Sequence, residues 1–120
     1  MMLEKRSSPE GYCPMTEAAK LLGSVWSIVI ISYLLDGPKG FNELLKSIPR
    51  LNAKTLSRTL KNLQKHGLVR REVVNIQPFA VSYSLTPMAM ELAPLLEGLR
   101  KWSIKWVKPS QEATAPKQDR

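Results

Sequence analysis

Hydrophobic positions in the N-terminal part of the chain follow helical spacing and are divided by short polar breaks. Residues 25–35 are apolar on nearly every side, which is typical of the buried central helix of a small bundle. A shorter helix is predicted before it, over residues 17–22, and ends at Gly23. Residues 36–40 have the composition of a turn. These elements predict a mainly helical domain.

The next two segments predict a helix-turn-helix. Residues 41–48 have the pattern of a two-turn amphipathic helix, which is ended by a proline. Asn52 can cap a second helix by accepting a hydrogen bond from a free backbone N–H. Leu56, Leu60 and Leu63 then recur at i, i+4 and i+7, so they form one apolar stripe along this second helix.

The other side of the second helix is basic. Between Lys39 and Arg71 the chain has nine Lys or Arg residues and one acid, Glu43. This balance, within a capped helix-turn-helix, favours contact with double-stranded DNA over a merely solvated charged surface. The candidate contacts are Asn52, Lys54, Thr55, Ser57, Arg58, Lys61, Asn62 and Lys65. Those near the helix N-terminus are expected at base edges, and Lys61 and Lys65 are expected at phosphates.

After this helix the pattern changes to paired strands. Gly67 suits a left-handed residue that ends the helix, and residues 68–74 and 80–85 have the β-branched and aromatic content of strands. With a loop at residues 75–79 they predict a hairpin wing. Basic and polar residues in and around the wing either contact DNA or are edge charges that discourage sheet aggregation, and the first interpretation is favoured. The candidates are Lys39, Arg50, Arg70, Arg71 and Gln77.

A last helix is predicted from Thr86 and Pro87 to about residue 107. It carries more apolar positions than one side of a small monomer would need. The excess favours a homodimer interface, shared with the N-terminal helix, over packing inside the monomer core. The interface candidates are Leu95, Leu99, Trp102 and Trp106. A dimer would present two recognition helices about one DNA turn, roughly 34 Å, apart.

Composition and charge narrow the classes of protein. The 120 residues, 43% of them hydrophobic, suffice for one domain, and the net charge of +8 indicates a polyanionic partner. No secretory or membrane-spanning segment is expected, so a cytoplasmic protein is predicted. An anionic membrane surface would also attract this charge, so the charge alone does not choose between the two partners; double-stranded DNA is predicted and a membrane is not. One cysteine and one histidine leave little from which to build a metal site or a catalytic pair. Neither an enzyme nor a cofactor is therefore predicted.

Taken together, these residues resemble the HxlR-type regulators, a family of winged helix-turn-helix transcription factors related to the MarR group. The resemblance covers residues 13–107 and depends on an ordered set of short motifs, each of them weak alone. The set comprises Cys13-Pro14, Gly23 with Trp26, Leu35-Asp36-Gly37-Pro38, Phe41-Asn42-Glu43-Leu44, Leu56-Ser57, residues 60–63, Gly67-Leu68-Val69 with Arg71, and Pro78 with Val81, Tyr83, Leu85, Thr86 and Pro87.

The resemblance implies a mainly α (α+β) winged helix-turn-helix with a two-stranded wing and a C-terminal dimerisation helix. The domain would span residues 13–107, between a flexible arm at residues 1–12 and a disordered tail at residues 108–120. Such a protein would be a homodimeric, sequence-specific regulator, most simply a repressor bound to an inverted repeat. The alternative is an architectural DNA-binding protein of low sequence specificity. Thr59 departs from the family pattern on the helix expected to face DNA, so no operator sequence is inferred.

Cys13 has two interpretations. It can be a small buried hydrophobe, or it can sense oxidants or electrophiles, as the cysteine at this position does in some members of the family. No basic residue near it in sequence would lower its pKa, because Lys20 lies a helix away, and this favours the first interpretation. A small-molecule or oxidant effector stays open as a partner.

Overall fold

A computed structural model describes residues 10–109 of the chain as six helices and three strands. The elements in chain order are α1 (Pro14–Leu22), α2 (Val25–Leu34), β1 (Lys39–Gly40), α3 (Phe41–Ser47), α4 (Ala53–Lys65), β2 (Val69–Ile76), β3 (Phe79–Leu85), α5 (Pro87–Met90) and α6 (Ala93–Trp106). The strands form one antiparallel sheet in the order β1-β3-β2. This architecture confirms the predicted winged helix-turn-helix. The predicted arm and tail fall largely on residues 1–9 and 110–120, which lie outside the described part of the chain.

The core lies between α2, α3 and α4. Ile30 and Ile31 of α2 and Leu44 of α3 are fully buried. The predicted leucine stripe of α4 packs into the same cluster and is buried along its whole length. Val25 is exposed, so α2 is buried on one side rather than all round.

Local backbone signals set the limits of α4. The Asn52 side chain accepts a hydrogen bond from the Thr55 N–H at 2.8 Å, which confirms the predicted N-cap. At the other end Gly67 has φ +77°, as predicted for a left-handed residue. The Leu68 N–H donates to the Leu63 carbonyl at 2.9 Å, and the Gly67 N–H donates to the Gln64 carbonyl at 3.1 Å. These two bonds satisfy carbonyls that the end of the helix would otherwise leave unpaired.

Two predictions for the first part of the chain need correction. The first helix begins at Pro14, three residues before the predicted start, because proline fits the first helical turn, where its missing N–H has no partner. The predicted turn at residues 36–40 ends in β1, whose Lys39 and Gly40 pair with Tyr83 and Ser82. This pairing joins residues far apart in sequence, so local composition did not indicate it.

The wing is longer than predicted and the last helix is broken. β2 continues to Ile76 and β3 begins at Phe79, so residues 77–78 alone connect the strands where a loop of residues 75–79 was predicted. The last helix divides into α5 and α6. Pro94 causes this break, because its ring would collide with the carbonyl of Met90, the residue at which α5 ends.

Within residues 10–109, no single helix has the length and apolar character needed to cross a membrane. Helices α1 and α2 reach that length only as a pair, with a bend of 80° between them.

Candidate nucleic-acid interface

The basic side chains of α4 lie on one exposed arc of the helix. Lys54, Arg58, Lys61 and Lys65 are all exposed, and at 3.6 residues per turn they fall within an arc of about 60°. The buried leucine stripe is centred on the opposite side of the helix. The helix therefore has one surface that packs into the domain and another that carries four positive charges into solvent.

No carboxylate in the described part of the chain neutralises this arc. Helix α4 contains no Asp or Glu, and no acid among residues 10–109 lies within salt-bridge distance of its four basic side chains. The charges are therefore available to an outside anion. Because DNA carries a negative charge for every ~1.7 Å of its axis, a helix of this kind suits a phosphate-lined groove.

Two threonines do not lie where the sequence predicted. Thr55 and Thr59 are each 6% exposed, so neither is on the surface expected to face DNA. Along α4 they are about 40° apart and border the leucine stripe, where a threonine methyl group can pack against the core. The prediction that Thr55 contacts DNA is therefore wrong for its side chain, and the departure at Thr59 does not alter the DNA-facing surface.

The other predicted contacts on α4 differ in accessibility. Asn52 is exposed, but its amide oxygen is occupied by the capping bond, which leaves the amide N–H₂ group to donate to a phosphate. Asn62 is exposed and Ser57 is half-buried. Lys54 and Arg58 are thus the long side chains with the freest reach near the helix N-terminus.

The predicted wing and flank residues do not form a single surface. Arg70 and Arg71 are exposed, but they are consecutive in β2 and point to opposite sides of the hairpin. Gln77 lies in the connecting turn at the end of the hairpin, about as far from the domain as the wing extends. Lys39 is half-buried in β1 beside β3. A partner that contacts one side of the hairpin can therefore meet only one of the two arginines.

Arg50 occupies the turn of the helix-turn-helix and has φ +64°, the left-handed region that favours glycine. It is the only described residue other than glycine with a positive φ. Its side chain is exposed beside the N-terminus of α4. The turn thus holds a strained backbone and presents a guanidinium next to the basic helix α4.

The predicted dimer residues form an uncovered apolar surface on α6. Trp102 and Trp106 are 56% and 66% exposed, and Leu95 and Leu99 are also exposed. Leu96 is the residue of α6 that the domain buries. Helix α1 buries none of its residues. A domain of this size rarely leaves so much apolar surface in contact with water unless a partner covers it.

Cys13 is exposed, not buried, and precedes α1 as its N-cap residue. The pKa of its thiol is lowered, chiefly by hydrogen bonding to the Thr16 side chain and then to the backbone of Thr16. The interpretation as a buried hydrophobe is therefore wrong for the described chain. Sequence reasoning looked for a nearby cation and overlooked the helix N-terminus, which stabilises a thiolate without one.

Sequence reasoning also overlooked two other features. An open groove of about 730 Å³ runs between α2 and α6, where Tyr33, Leu96 and Arg100 are among its lining residues. The wing ends in two exposed apolar side chains, Ile76 and Phe79. The first feature depends on how the broken last helix packs, and the second on where the strands end, so neither could be placed before the elements were known.

Comparison with known proteins identifies the family. The family model described as HxlR-like helix-turn-helix matches residues 21–111. The chain belongs to the HxlR-like helix-turn-helix family. Its relatives include the HTH-type transcriptional regulator YodB of Bacillus subtilis, which is 36% identical over 98 residues, or 81% of this chain and 88% of YodB.

Solved structures of other regulators resemble the fold. The reduced form of YodB superposes with a TM-score of 0.68 at 35% identity, covering 83% of this chain and 99% of that one. The redox regulator HypR in its oxidized form gives 0.75 at 29% identity, with 80% and 99% covered. A protein of Porphyromonas gingivalis assigned to the MarR family of transcriptional regulators gives 0.77 at 25% identity, with 85% and 100% covered.

This HxlR-like protein is therefore a DNA-binding transcriptional regulator of the helix-turn-helix type, and its relatives are regulators rather than enzymes. The family assignment confirms the resemblance inferred from the sequence motifs.

Proposed function

We propose that this HxlR-like regulator binds an inverted repeat in double-stranded DNA as a homodimer and represses transcription by occupying a promoter. The exposed arc of Lys54, Arg58, Lys61 and Lys65, with no acid on the same helix, is the observation that carries this proposal. In a helix-turn-helix the N-terminal end of the second helix contacts base edges. Lys54 and Arg58 then read bases, and Lys61 and Lys65 hold phosphates farther along the helix.

The homodimer accounts for the apolar surface of α1 and α6. Association of two copies through Leu95, Leu99, Trp102 and Trp106 would remove four exposed apolar side chains from water in each subunit. A two-fold axis places the two copies of α4 in opposite orientations. Two such helices in successive major grooves read a sequence with the same symmetry, which is an inverted repeat.

Repression requires only the basic arc of α4 and the apolar dimer surface of α1 and α6. A dimer seated on a promoter excludes polymerase from the same DNA, so occupancy alone lowers transcription. The test is an in vitro transcription assay on a template that carries the selected site across the promoter. The transcript should fall as the protein is added, whereas a rise would make the protein an activator.

Sequence specificity is tested by selecting bound duplexes from a random library with the full chain. An enriched inverted repeat supports the proposal. Bound DNA without an enriched motif would instead support the architectural alternative, whose specificity ratio over random DNA is low. An Asn42→Ala variant is a matched control, because Asn42 is exposed on α3 rather than α4. It should select the same motif as the unaltered chain.

We also propose that Cys13 makes DNA binding responsive to oxidants. Its exposure and the lowered pKa of its thiol support this, since the thiolate is the reactive form. Solved structures of YodB include a diamide-treated and a quinone-bound form, and HypR is described as a redox regulator. Diamide takes up two electrons and two protons as two thiols join in a disulfide, so oxidation could link the Cys13 residues of two chains.

Two variants test this second proposal. Binding to the selected duplex should change on diamide treatment in the unaltered chain and not in Cys13→Ser. Thr16→Val removes the hydroxyl that lowers the pKa of Cys13 most, so the pH profile of Cys13 alkylation should move to higher pH. Equal responses to diamide in Cys13→Ser and the unaltered chain would show that the cysteine is not the sensor.

A further inference from the structure

The end of the wing, residues 76–79, presents an apolar pair to solvent. Ile76 and Phe79 are directly opposite each other in the β2–β3 ladder and flank the turn. They are 80% and 65% exposed. Directly opposed residues of an antiparallel pair point to the same side of the hairpin, so the two side chains form one small apolar surface.

This surface continues the core-facing side of the hairpin beyond the domain. Alternate residues of β3 share one side: Leu85 and Tyr83 are buried, Val81 is half-buried, and Phe79 is exposed. The same stripe therefore leaves the core and extends along the wing until nothing in the described chain covers it. Adjoining Phe and Ile side chains at the end of a projecting hairpin offer apolar surface that a partner can cover.

The end of the wing carries no charge. Residues 73–84 contain no Lys, Arg, Asp or Glu, whereas Arg70 and Arg71 lie at the base of the hairpin. The tip cannot bind DNA by neutralising phosphates. The Ile76 and Phe79 side chains have no hydrogen-bond donor for a phosphate, so a contact that they make would be with the bases, whose stacked faces are apolar.

The length of the wing matches the spacing of DNA grooves. Gly67 and Leu68 alone separate α4 from the eight-residue strand β2. Arg71 and Ile76 are five residues apart, about 16 Å along a regular strand and less across the bulge between Val73 and Asn75. This advance is comparable to the half turn of roughly 17 Å that separates a major groove from the next minor groove. With α4 in the major groove and the hairpin base at the backbone, residues 76–79 reach the adjacent minor groove.

We propose that Phe79 and Ile76 act as an apolar wedge that enters this minor groove, presses between two base pairs and kinks the duplex. The proposal rests on the proposed binding of DNA by α4. Apolar side chains of this kind are the ones that minor-groove proteins insert to unstack a base step. Because pyrimidine–purine steps unstack most easily, the wedge gives the regulator a preference for such a step about half a turn from each half-site.

The experiment uses the full chain and a 30-base-pair duplex of the sequence that the chain itself enriches from a random library. Fluorophores at the two ends report bending by energy transfer, and 2-aminopurine at the predicted step reports unstacking. The unaltered chain should kink the duplex, within the roughly 20–90° typical of such wedges, and raise the 2-aminopurine fluorescence.

A Phe79→Ser, Ile76→Ser double variant should leave the duplex straight and the 2-aminopurine stacked. Its affinity should fall about tenfold, since the stacking of side chains on bases is lost. The dependence of affinity on salt should be unchanged, because no charge has been removed. Val74→Ser is the matched control: it removes an exposed apolar side chain of the same hairpin outside residues 76–79 and should keep the kink.

Failure of the wedge can be distinguished from failure of the proposed DNA binding by α4. If the chain enriches a site but the unaltered protein and the double variant leave it equally bent, the wedge is overturned while the role of α4 stands. Loss of the kink in Val74→Ser as well would show that the kink does not depend on residues 76–79 in particular and would overturn the wedge. A lower sedimentation mass for the double variant would place the pair between subunits instead. No enriched site at all would overturn both proposals.

Discussion

At the scale of single residues, Arg58 differs from the other basic side chains of α4. Within its exposed arc, Arg58 is the only guanidinium, and a guanidinium can donate two parallel hydrogen bonds to one guanine. The lysines offer single-point contacts to phosphates or bases. Discrimination between base pairs should therefore depend most on Arg58.

Arg58→Ala should weaken binding to the selected duplex more than binding to random DNA, by about 1–3 kcal/mol if the bidentate contact is made. Titration of labelled duplexes at fixed salt measures both affinities. An equal loss on the two DNAs would place Arg58 at a phosphate. Arg58→Lys keeps the charge but not the fork geometry, so it should lose most of the discrimination as well.

Arg50 is held in a left-handed conformation, which costs a side-chain-bearing residue about 1–2 kcal/mol. Arg50→Gly relieves that strain but makes the unfolded chain more flexible, so the free energy of unfolding should stay within about 0.5 kcal/mol. Arg50→Val should lose more than about 1 kcal/mol, because a β-branched residue tolerates this conformation poorly. Urea titration measures the free energy of unfolding of both variants. Since both lack the Arg50 charge, equal free energies of unfolding would contradict a strained backbone at this position.

At the scale of whole elements, the two halves of α4 are expected to have different roles. In the proposed complex the N-terminal half of α4 would place Lys54 and Arg58 at base edges, and the C-terminal half would place Lys61 and Lys65 at phosphates. Phosphate contacts fix the helix in place without reading sequence. The two halves should therefore respond differently to salt and to base changes.

Lys61→Ala and Lys65→Ala should each reduce the slope of log affinity against log salt by about one, because each phosphate contact releases about one counterion. Sequence preference should stay as in the unaltered chain. Affinities at four or more salt concentrations give the slope. A changed preference would mean that these lysines reach base edges.

The elements fixed by local signals were predictable from the sequence. Asn52, the leucine stripe and Gly67 define α4 without help from the rest of the chain. The short strand β1 was not predictable, because Lys39 and Gly40 pair with residues more than 40 positions away. The break before α6 had a visible signal in Pro94, which the prediction of a single long helix overlooked.

The candidate DNA-binding residues also include some that were predictable from the sequence and some that were not. The exposure of the four basic side chains of α4 follows from helical spacing and was predicted correctly. Burial of Thr55 was not predicted, because threonine is polar by composition but packs a methyl group at the border of the stripe. Arg70 and Arg71 point to opposite sides because they are consecutive in a strand, but which of them lies on the core-facing side depended on strand register, which the sequence pattern alone did not give.

For the whole molecule the account requires two copies. The exposed apolar residues of α6 and the unburied helix α1 are the surface that a second copy would cover in the proposed homodimer. The two-fold axis would set the distance between the α4 helices, and so the spacing of the half-sites.

Trp102→Ala combined with Trp106→Ala should shift the protein toward monomer, since both indoles are more than half exposed in the single chain. Analytical ultracentrifugation across a range of concentrations measures the shift. The thermal unfolding of the monomer should change little, because neither side chain belongs to the buried core. An unchanged mass with reduced stability would assign the tryptophans to the monomer fold.

The central claim, that a dimer places α4 of each subunit in successive major grooves, is tested most directly by chemical footprinting on the selected duplex. Dimethyl sulfate methylates guanine N7, which lies in the major groove. Protection should appear in two clusters about one turn, or 10–10.5 base pairs, apart, and both clusters should weaken in Arg58→Ala. A single protected cluster, or full protein binding with no guanine protected, would contradict the account.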